Sequence, residues 1–278
     1  MPKGPFIGAH VSSAGSIDQA IDRITEIGGN AVQIFASNPR GWKGKAHEKV
    51  HLEKYLEKAK EKGVEKSVIH AIYLVNLASP NQALIANSMA TLKADLMVAA
   101  AIKAEGVVVH LGSHLGRGFD AVKDQLVANI SKILQESPEG GTFLIENSAG
   151  QQGKIASNLE EIRYLLDEVD SPRLGWCLDT CHASSAGYEI HTKLFDEIGN
   201  LGLWDSLKVV HVNDSRDPFS SGKDRHANLG EGTITNEMFT AFFANPKLRS
   251  LPFILEVPGV DKMGPNAQEI EKLRALVK

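Results

Sequence analysis

Nine side chains of metal-ligating type fall at the ends of short apolar runs or in the loops just beyond them: His70, His110, Glu146, Asp179, His182, His211, Asp224, His226 and Glu256. Five imidazoles and four carboxylates, with no thiolate required, make a mixed nitrogen–oxygen donor set. Such a set suits zinc, manganese or iron in catalytic centres, where one coordination position stays open for water. Nine donors exceed the needs of one four-coordinate ion, so two or three ions are implied, with at least one carboxylate bridging. Centres with several ions typically serve phosphoryl chemistry, because they lower the pKa of a shared water, clamp phosphate oxygens and stabilise the departing oxygen. Four carboxylates converging without cations would repel one another, so metal is also an electrostatic requirement of the fold.

The elements that position these donors follow from a recurring pattern of a short apolar run and then an amphipathic stretch. Strands are predicted at Phe6–His10, Ala31–Phe35, Val68–His70, Gly106–His110, Thr142–Glu146, Leu174–Asp179, Leu207–His211 and Pro252–Glu256. Helical periodicity marks Ser16–Ile27, Gln82–Lys103, Asn158–Asp167, Glu237–Phe243 and Asn266–Val277. Eight strands alternating with helices predict an α/β fold of one domain spanning 1–278, a closed (β/α)8 TIM barrel with its site at the C-terminal ends of the strands. An open doubly wound sheet is the rival, but no Gly-rich phosphate turn follows the first strand. Seven of the eight runs end in a potential ligand: His10, His70, His110, Glu146, Asp179, His211 and Glu256. Two residues back, on the same side of each strand, stand Gly8, Val68, Val108, Leu144, Cys177, Val209 and Ile254, all apolar or small. The pattern is an apolar barrel interior capped by a polar ring.

Composition agrees with a globular chain: 42% hydrophobic and 23% charged residues leave enough apolar material for a full core. No run approaches 18 uninterrupted apolar residues, and Gly4, Pro5 and Gly8 interrupt any signal-peptide pattern, so a cytoplasmic protein that does not span a membrane is expected. With Cys177 and Cys181 alone there is no disulfide framework. The formal net charge of −4 argues against broad electrostatic wrapping of nucleic acid. Three divalent ions would carry the total to +2 and concentrate the positive charge at the site.

At the level of motifs the chain resembles the endonuclease IV (apurinic/apyrimidinic endonuclease) family over essentially its full length. The resemblance rests on Gly-Ala-His-Val-Ser at 8–12, Asn-Leu at 76–77, His-Leu-Gly-Ser-His at 110–114 and Ile-Glu-Asn-Ser-Ala-Gly-Gln at 145–151. It continues through Cys-Leu-Asp-Thr-Cys-His-Ala at 177–183, His-Val-Asn-Asp-Ser at 211–215, Asp-Arg-His at 224–226, Gly-Glu-Gly at 230–232 and Ile-Leu-Glu at 254–256. It implies three zinc ions, one of them exchangeable for manganese or iron. By the resemblance, His70, His110 and Glu146 hold one ion, and Glu146 bridges to a second completed by Asp179, His211 and Glu256. His182, Asp224 and His226 hold the third. The implied activity is DNA-repair hydrolysis of the phosphodiester 5′ to an abasic site in double-stranded DNA, leaving a 3′ hydroxyl and a 5′ deoxyribose phosphate. Glu146 would orient the attacking hydroxide, and Glu256 could assist as a base.

Substrate recognition is expected from loops. An abasic nucleotide is cheap to extrude, and side chains inserted from the minor groove stabilise the kinked duplex. The loop from Ser37 to Lys43, with Arg40 and Trp42, suits that task, and Tyr73 and Leu74 are candidate wedges. Lys223 and Arg225 would meet phosphates. Departures from the family pattern stand at Ala71-Ile72, Ala227 and Val257, where relatives often carry polar residues; they leave the ligands intact and bear on substrate contacts.

Several residues have plainer readings. His47-Glu48-Lys49-Val50-His51 matches the zinc-protease motif but lies in a Lys/Glu-rich stretch that reads as a solvated helix face. Cys177 reads as core, and Cys181 as packing ahead of ligation. His10 is either a group supporting a ligand or a satisfied turn histidine, while His114 and His191 are not expected to bind metal. Trp42 either covers DNA or anchors its loop, with the basic loop favouring DNA. Gly112, Gly116 and Gly118 are expected to permit a tight loop. Two other functions compete: a metal-dependent sugar isomerase or epimerase, for which Asp224 and His226 are surplus, and a non-catalytic metal-stabilised barrel that binds DNA. A monomer is the simpler expectation.

Overall fold

The computed structural model describes residues 4–42 and 47–277, apart from the side chain of Thr192, so Lys43 of the basic loop lies outside the described residues. Eight parallel strands close into a barrel: β1 (Phe6–His10), β2 (Ala31–Phe35), β3 (Lys66–His70), β4 (Val107–Val109), β5 (Phe143–Glu146), β6 (Leu174–Asp179), β7 (Leu207–His211) and β10 (Pro252–Leu255). Each strand pairs with its neighbours in sequence order, and β10 closes the ring by pairing with β7 and β1. The two remaining strands, β8 (Asp214–Ser215) and β9 (His226–Ala227), form a small antiparallel ribbon beyond the barrel mouth. The expected fold is therefore observed, with β3 starting two residues early and β4 and β10 stopping one residue short of His110 and Glu256.

Around the barrel lie α1 (Gln19–Glu26), α2 (Lys49–Lys62), α3 (Gln82–Ala101), α4 (Lys123–Gln135), α5 (Leu159–Val169), α6 (Thr180–Ala186), α7 (Thr192–Asn200), α8 (Asn236–Phe243) and α9 (Ala267–Leu276). Several starts are fixed by Asn or Thr side chains that accept otherwise unpaired backbone N–H groups, as Asn81 does for Ala83 and Leu84 and Thr235 does for Met238. Helix α3 is long and apolar enough to cross a membrane by length and composition, but here Ile85, Leu92, Leu96 and Ala99 are buried and the helix packs on β3 and β4. The protease-like motif does not form its constellation. Glu48 is the N-cap of α2, so His47 precedes the helix and approaches the Ala36 carbonyl at 2.6 Å, whereas His51 faces Asp18 at 3.2 Å.

Two apolar layers hold the architecture. The larger fills the space between strands and helices; the smaller plugs the barrel interior with Ala31, Val68, Val108, Leu144, Cys177, Val209 and Ile254, against which Phe6 packs. Six of those seven residues are the ones strand parity selects. Gly8, the seventh expected, contributes no side chain, because a Cβ there would stand 1.8 Å from the Ala31 carbonyl oxygen. Burial of such aliphatic side chains stabilises the fold by roughly 1.5–3 kcal/mol each. It also provides a dry floor directly beneath the donors.

Candidate metal centre

All nine expected donors converge above that floor. Glu146, buried at the end of β5, is the hub. Its Oε2 lies 3.2 Å from both His70 Nε2 and His110 Nε2, while its Oε1 lies 2.9 Å from His211 Nδ1 and 3.4 Å from His182 Nδ1. One carboxylate oxygen thus serves each side of the cluster. His211 Nδ1 is also 3.2 Å from Glu256 Oε2 and 3.9 Å from Asp179 Oδ2. Asp224 Oδ1 links His182 Nε2 at 3.1 Å and His226 Nε2 at 3.5 Å.

Two compact donor groups match the expected ion sets, His70–His110–Glu146 and Glu146–Asp179–His211–Glu256. The third set is less compact. His182 and Asp224 group most closely with His110, and His226 with Asp179 and Cys181. Cys181 is buried, which pushes its thiol up to about 12, and Sγ donates weakly to the Arg225 carbonyl oxygen at 3.7 Å. Cys177 belongs to the interior plug, as expected. His114 accepts from the Gly118 amide at 3.1 Å and His191 faces Glu189 at 3.6 Å, and neither joins a donor group. Gly112, Gly116 and Gly118 all adopt positive φ (95°, 82° and 82°), as a tight loop beside the site requires.

The residues behind the donors fix which ring nitrogen faces inward. His70 Nδ1 donates to the Ala71 carbonyl at 2.7 Å, His182 Nδ1 to the Asn147 carbonyl at 3.0 Å, and His226 Nδ1 to the Glu256 carbonyl at 3.3 Å, so each turns Nε2 toward the cluster. His211 is reversed: its Nε2 donates to Gln33 Oε1 at 2.7 Å and leaves Nδ1 facing Glu146. The same Gln33 amide donates to Glu256 Oε1 at 2.6 Å and to His10 Nδ1 at 3.1 Å. His10 therefore supports the cluster through Gln33. Asn213 donates to Asp179 Oδ2 at 2.6 Å and accepts from the Glu256 amide at 2.8 Å, and Asn147 accepts from the Asp179 amide at 2.6 Å. Sequence reasoning missed Gln33, Asn147 and Asn213. Gln33 did carry a signal: it is a lone amide in the apolar run Ala31–Phe35, on the same side of the strand as the plug residue Ala31.

Electrostatics point to bound cations. Burial opposes ionisation of Glu146 and Glu256, yet His110 and His211 around the first, and His211 and His10 around the second, hold both well below the ordinary carboxylate range. Burial likewise disfavours charge on His182 and His211. Nearby Asp179 and Asp224 raise His182 well above its usual value, and Cys177, Glu256 and Glu146 do the same for His211. Burial pushes His110 down to about 4. Among the described residues, six buried side-chain nitrogens or oxygens lack a hydrogen-bond partner, and three of them are His110 Nδ1, His182 Nε2 and His226 Nε2. His182 Nε2 is close to Asp224 Oδ1 but misaligned for a hydrogen bond. Orphaned buried nitrogens cost about 1–3 kcal/mol each, and a cation within reach would satisfy His182 Nε2 and His226 Nε2, whereas His110 meets the cluster through Nε2. The residues present fit metal.

The expected DNA-facing residues lie around this mouth. Tyr73 is 69% exposed and lines the metal-donor pocket, Leu74 is also exposed, and Arg40, Lys223 and Arg225 reach solvent. Trp42 is half-buried against the core, which favours loop anchoring over the DNA contact expected of it. Ala71, Ile72, Ala227 and Val257 are all buried; of these, Val257 lines the pocket, whereas Ala71 and Ile72 pack into the core rather than present a changed surface.

The barrel and its donor cluster place the chain in a class: a model described as the xylose isomerase-like TIM barrel matches residues 21–278. Solved barrels of that shape include a D-tagatose 3-epimerase-like protein (TM-score 0.73, 20% identity, 97% of this chain and 95% of that one), a likeness of fold alone. Closer kinship lies elsewhere. Probable endonuclease 4 of Halothermothrix orenii is 37% identical over 96% of this chain and 99% of its own, and that of Methanoculleus marisnigri 35% identical over 98% of both. Endonuclease IV of Thermus thermophilus superposes with a TM-score of 0.87 at 34% identity, covering 98% of this chain and 99% of that one. The chain belongs to the endonuclease IV family.

Proposed function

We propose that this protein is an apurinic/apyrimidinic endonuclease of DNA repair, a zinc-dependent hydrolase that cuts double-stranded DNA on the 5′ side of an abasic site. The products would be a 3′ hydroxyl and a 5′ deoxyribose phosphate. The observation that carries the reading is the hub geometry of Glu146, whose two oxygens each face a separate donor group. Family membership supports the substrate, since the matching relatives bear the name endonuclease 4. Three zinc ions, one exchangeable for manganese or iron, are the proposed complement, held by the nine donors in the three sets given above.

When bound, such ions supply an acidified water and positive charge for the phosphate oxygens. The chain's own residues do the rest. Glu146 and Glu256, both held ionised, can accept hydrogen bonds from the attacking water and orient it, and Glu256, with its side chain still 16% exposed, can take up the proton. Asp224 and Lys154, 3.4 Å apart, bring a cation to the edge of the third donor set. Arg40, Tyr73 and Leu74 would fill the gap left by an extruded nucleotide, and Lys223 and Arg225 would contact flanking phosphates.

The test is incision of a duplex bearing one abasic site, with and without chelator, with the ends of the product identified. Chelation is expected to abolish the cut. A metal-replete preparation that leaves the lesion strand intact while turning over a ketose would transfer the protein to the sugar epimerases.

A further inference from the structure

A lysine stands where the chemistry of a cation site argues against one. Lys154 Nζ lies 3.4 Å from Asp224 Oδ2, against the third donor set. Among the described residues, no other lysine or arginine comes within ion-pair distance of the four donor carboxylates, whose remaining ion pairs are all with imidazoles. A fixed positive charge beside metal donors repels the ion that they bind.

The Asp224 carboxylate is divided between two tasks. Its Oδ1 faces His182 Nε2 at 3.1 Å and His226 Nε2 at 3.5 Å, the two ring nitrogens left without hydrogen-bond partners, while Oδ2 faces the ammonium. Burial disfavours charge on Asp224, yet His182, His226 and Lys154 hold it well below the ordinary carboxylate range. The lysine itself sits on a fixed backbone. Its amide donates to the Gln151 carbonyl at 3.1 Å, and its neighbours Gly153 and Ile155 bond to His114 and Gly112 at 3.0 Å each. Asp224 has a second brace as well, because the Gln151 side-chain oxygen accepts its amide at 3.1 Å.

Charge singles out this set. The second set gathers Glu146, Asp179 and Glu256, whereas the third has Asp224 alone, and Lys154 cancels that charge. A dication arriving there meets no net negative charge. An ammonium and a dication on opposite oxygens of one carboxylate are about 6 Å apart, and their repulsion weakens binding about tenfold in water-like surroundings and more where water is excluded. Gln151 keeps Asp224 in place without the lysine, so repulsion outweighs the orientation that the ion pair supplies.

We propose that Lys154 is a resident counter-cation of the third donor set. It is a positioning residue that holds Asp224 through Oδ2 and, by its charge, makes the third ion the most readily exchanged of the three. The inference rests on the three-ion reading. When the third position empties, the ammonium neutralises Asp224 and spares the mouth an unpaired carboxylate. Occupancy of that position therefore follows the free metal concentration, while the other two ions stay bound.

The test compares the metal-loaded protein with Lys154→Met, which keeps the length and drops the charge, and Lys154→Arg, which keeps the charge. The lysine side chain is 28% exposed on a loop, so neither change disturbs the core. Each protein is dialysed against graded zinc–chelator buffers, ions per chain are counted by elemental analysis, and incision of abasic duplex is measured on the same samples. Lys154→Met is expected to keep its third ion down to about tenfold lower free zinc, with release of the other two unchanged. Lys154→Arg should release like the wild type. A third ion lost from Lys154→Met at the same or higher free zinc overturns the inference, because the lysine would then merely orient Asp224. So does an arginine variant that behaves like the methionine one. If neither the wild type nor Lys154→Met ever takes up a third ion, the three-ion reading falls together with the inference, and incision by the two-ion samples shows that the endonuclease reading stands without them.

Discussion

Replacing Gln33 by leucine tests whether the donors are set by the residues behind them. The amide is fully buried and makes three contacts at 2.6–3.1 Å, to Glu256, His211 and His10. Leucine is similar in length and suits the apolar interior below, so the barrel should still close. It would strand His211 Nε2 and one oxygen of Glu256. A buried orphan of this kind costs about 1–3 kcal/mol. Glu256 keeps some access to water and can be partly re-solvated, so a loss near 2–3 kcal/mol is expected in the metal-free protein. With His211 free to rotate, Nδ1 is no longer held toward Glu146, and loss of such support typically weakens metal binding about 10- to 100-fold. A chelator titration followed by elemental analysis reads that loss directly. Ile34→Val, one residue along the same strand, is the control: it should cost roughly 0.5–1.5 kcal/mol of stability and leave the chelator midpoint alone. If Gln33→Leu surrenders its metal at the wild-type chelator concentration, the orientation argument is wrong.

Other outcomes follow from the same geometry. Glu146→Gln keeps the shape but removes the charge shared by two donor groups, so incision should fall by more than ~10²-fold while a band-shift assay still shows abasic DNA bound. Metal uptake at pH 7 should release protons, because His182 and His211 are held well above their ordinary value and must lose a proton to ligate; calorimetry in two buffers of different ionisation heat would reveal an absence of release. By the same shifts, the metal-free protein gains stability from these histidines below their unfolded value and loses it as pH rises through the raised folded values. The depressed Glu146 and Glu256 contribute above the ordinary carboxylate value and lose that contribution as pH falls through their folded values. Met263, 87% exposed beside the pocket residues Gly264 and Pro265, should contribute to DNA binding, so Met263→Ala should weaken it roughly fivefold. Met97→Ala, exposed on α3 at the barrel flank, should change nothing, and equal effects of the two would refute a mouth-specific contact.

The frame was legible because a parallel strand announces both its end and its inward face. The alternation of Val68 with His70 or Leu144 with Glu146 states that an apolar side chain lies below a polar one. Strand pairing then brings donors together that lie far apart in the chain, as when Asp179 aligns with His211. What escaped was mostly too short or too distant to show a period. The ribbon strands β8 and β9 have two residues each, and α6 begins at the residue after β6, in a run of small polar residues whose start depends on the Asp179 carboxylate accepting from the His182 amide. The Gln33–His211 contact joins residues 178 positions apart, and no local pattern encodes it. Trp42 was left open between DNA contact and loop anchoring for a related reason: basic neighbours colour a loop, but packing against the core, which no local pattern shows, decides how much of a large ring is covered.

The nine donors are not equally free to change. His70, Glu146, Asp179 and His211 are themselves strand residues, and His110 and Glu256 directly follow strands, so moving any of them disturbs the pairing that closes the ring. Asp224 and His226 sit on an excursion between β7 and β10, pinned at its base by the Asp214 carboxylate, which accepts the amides of Ser215, Gly230, Gly232 and Ile234. Lengthening, trimming or grafting that excursion leaves every barrel strand untouched. An ancestral barrel could gain or lose two donors of the third set by editing one loop, and a designer seeking a new reaction on this scaffold would begin there.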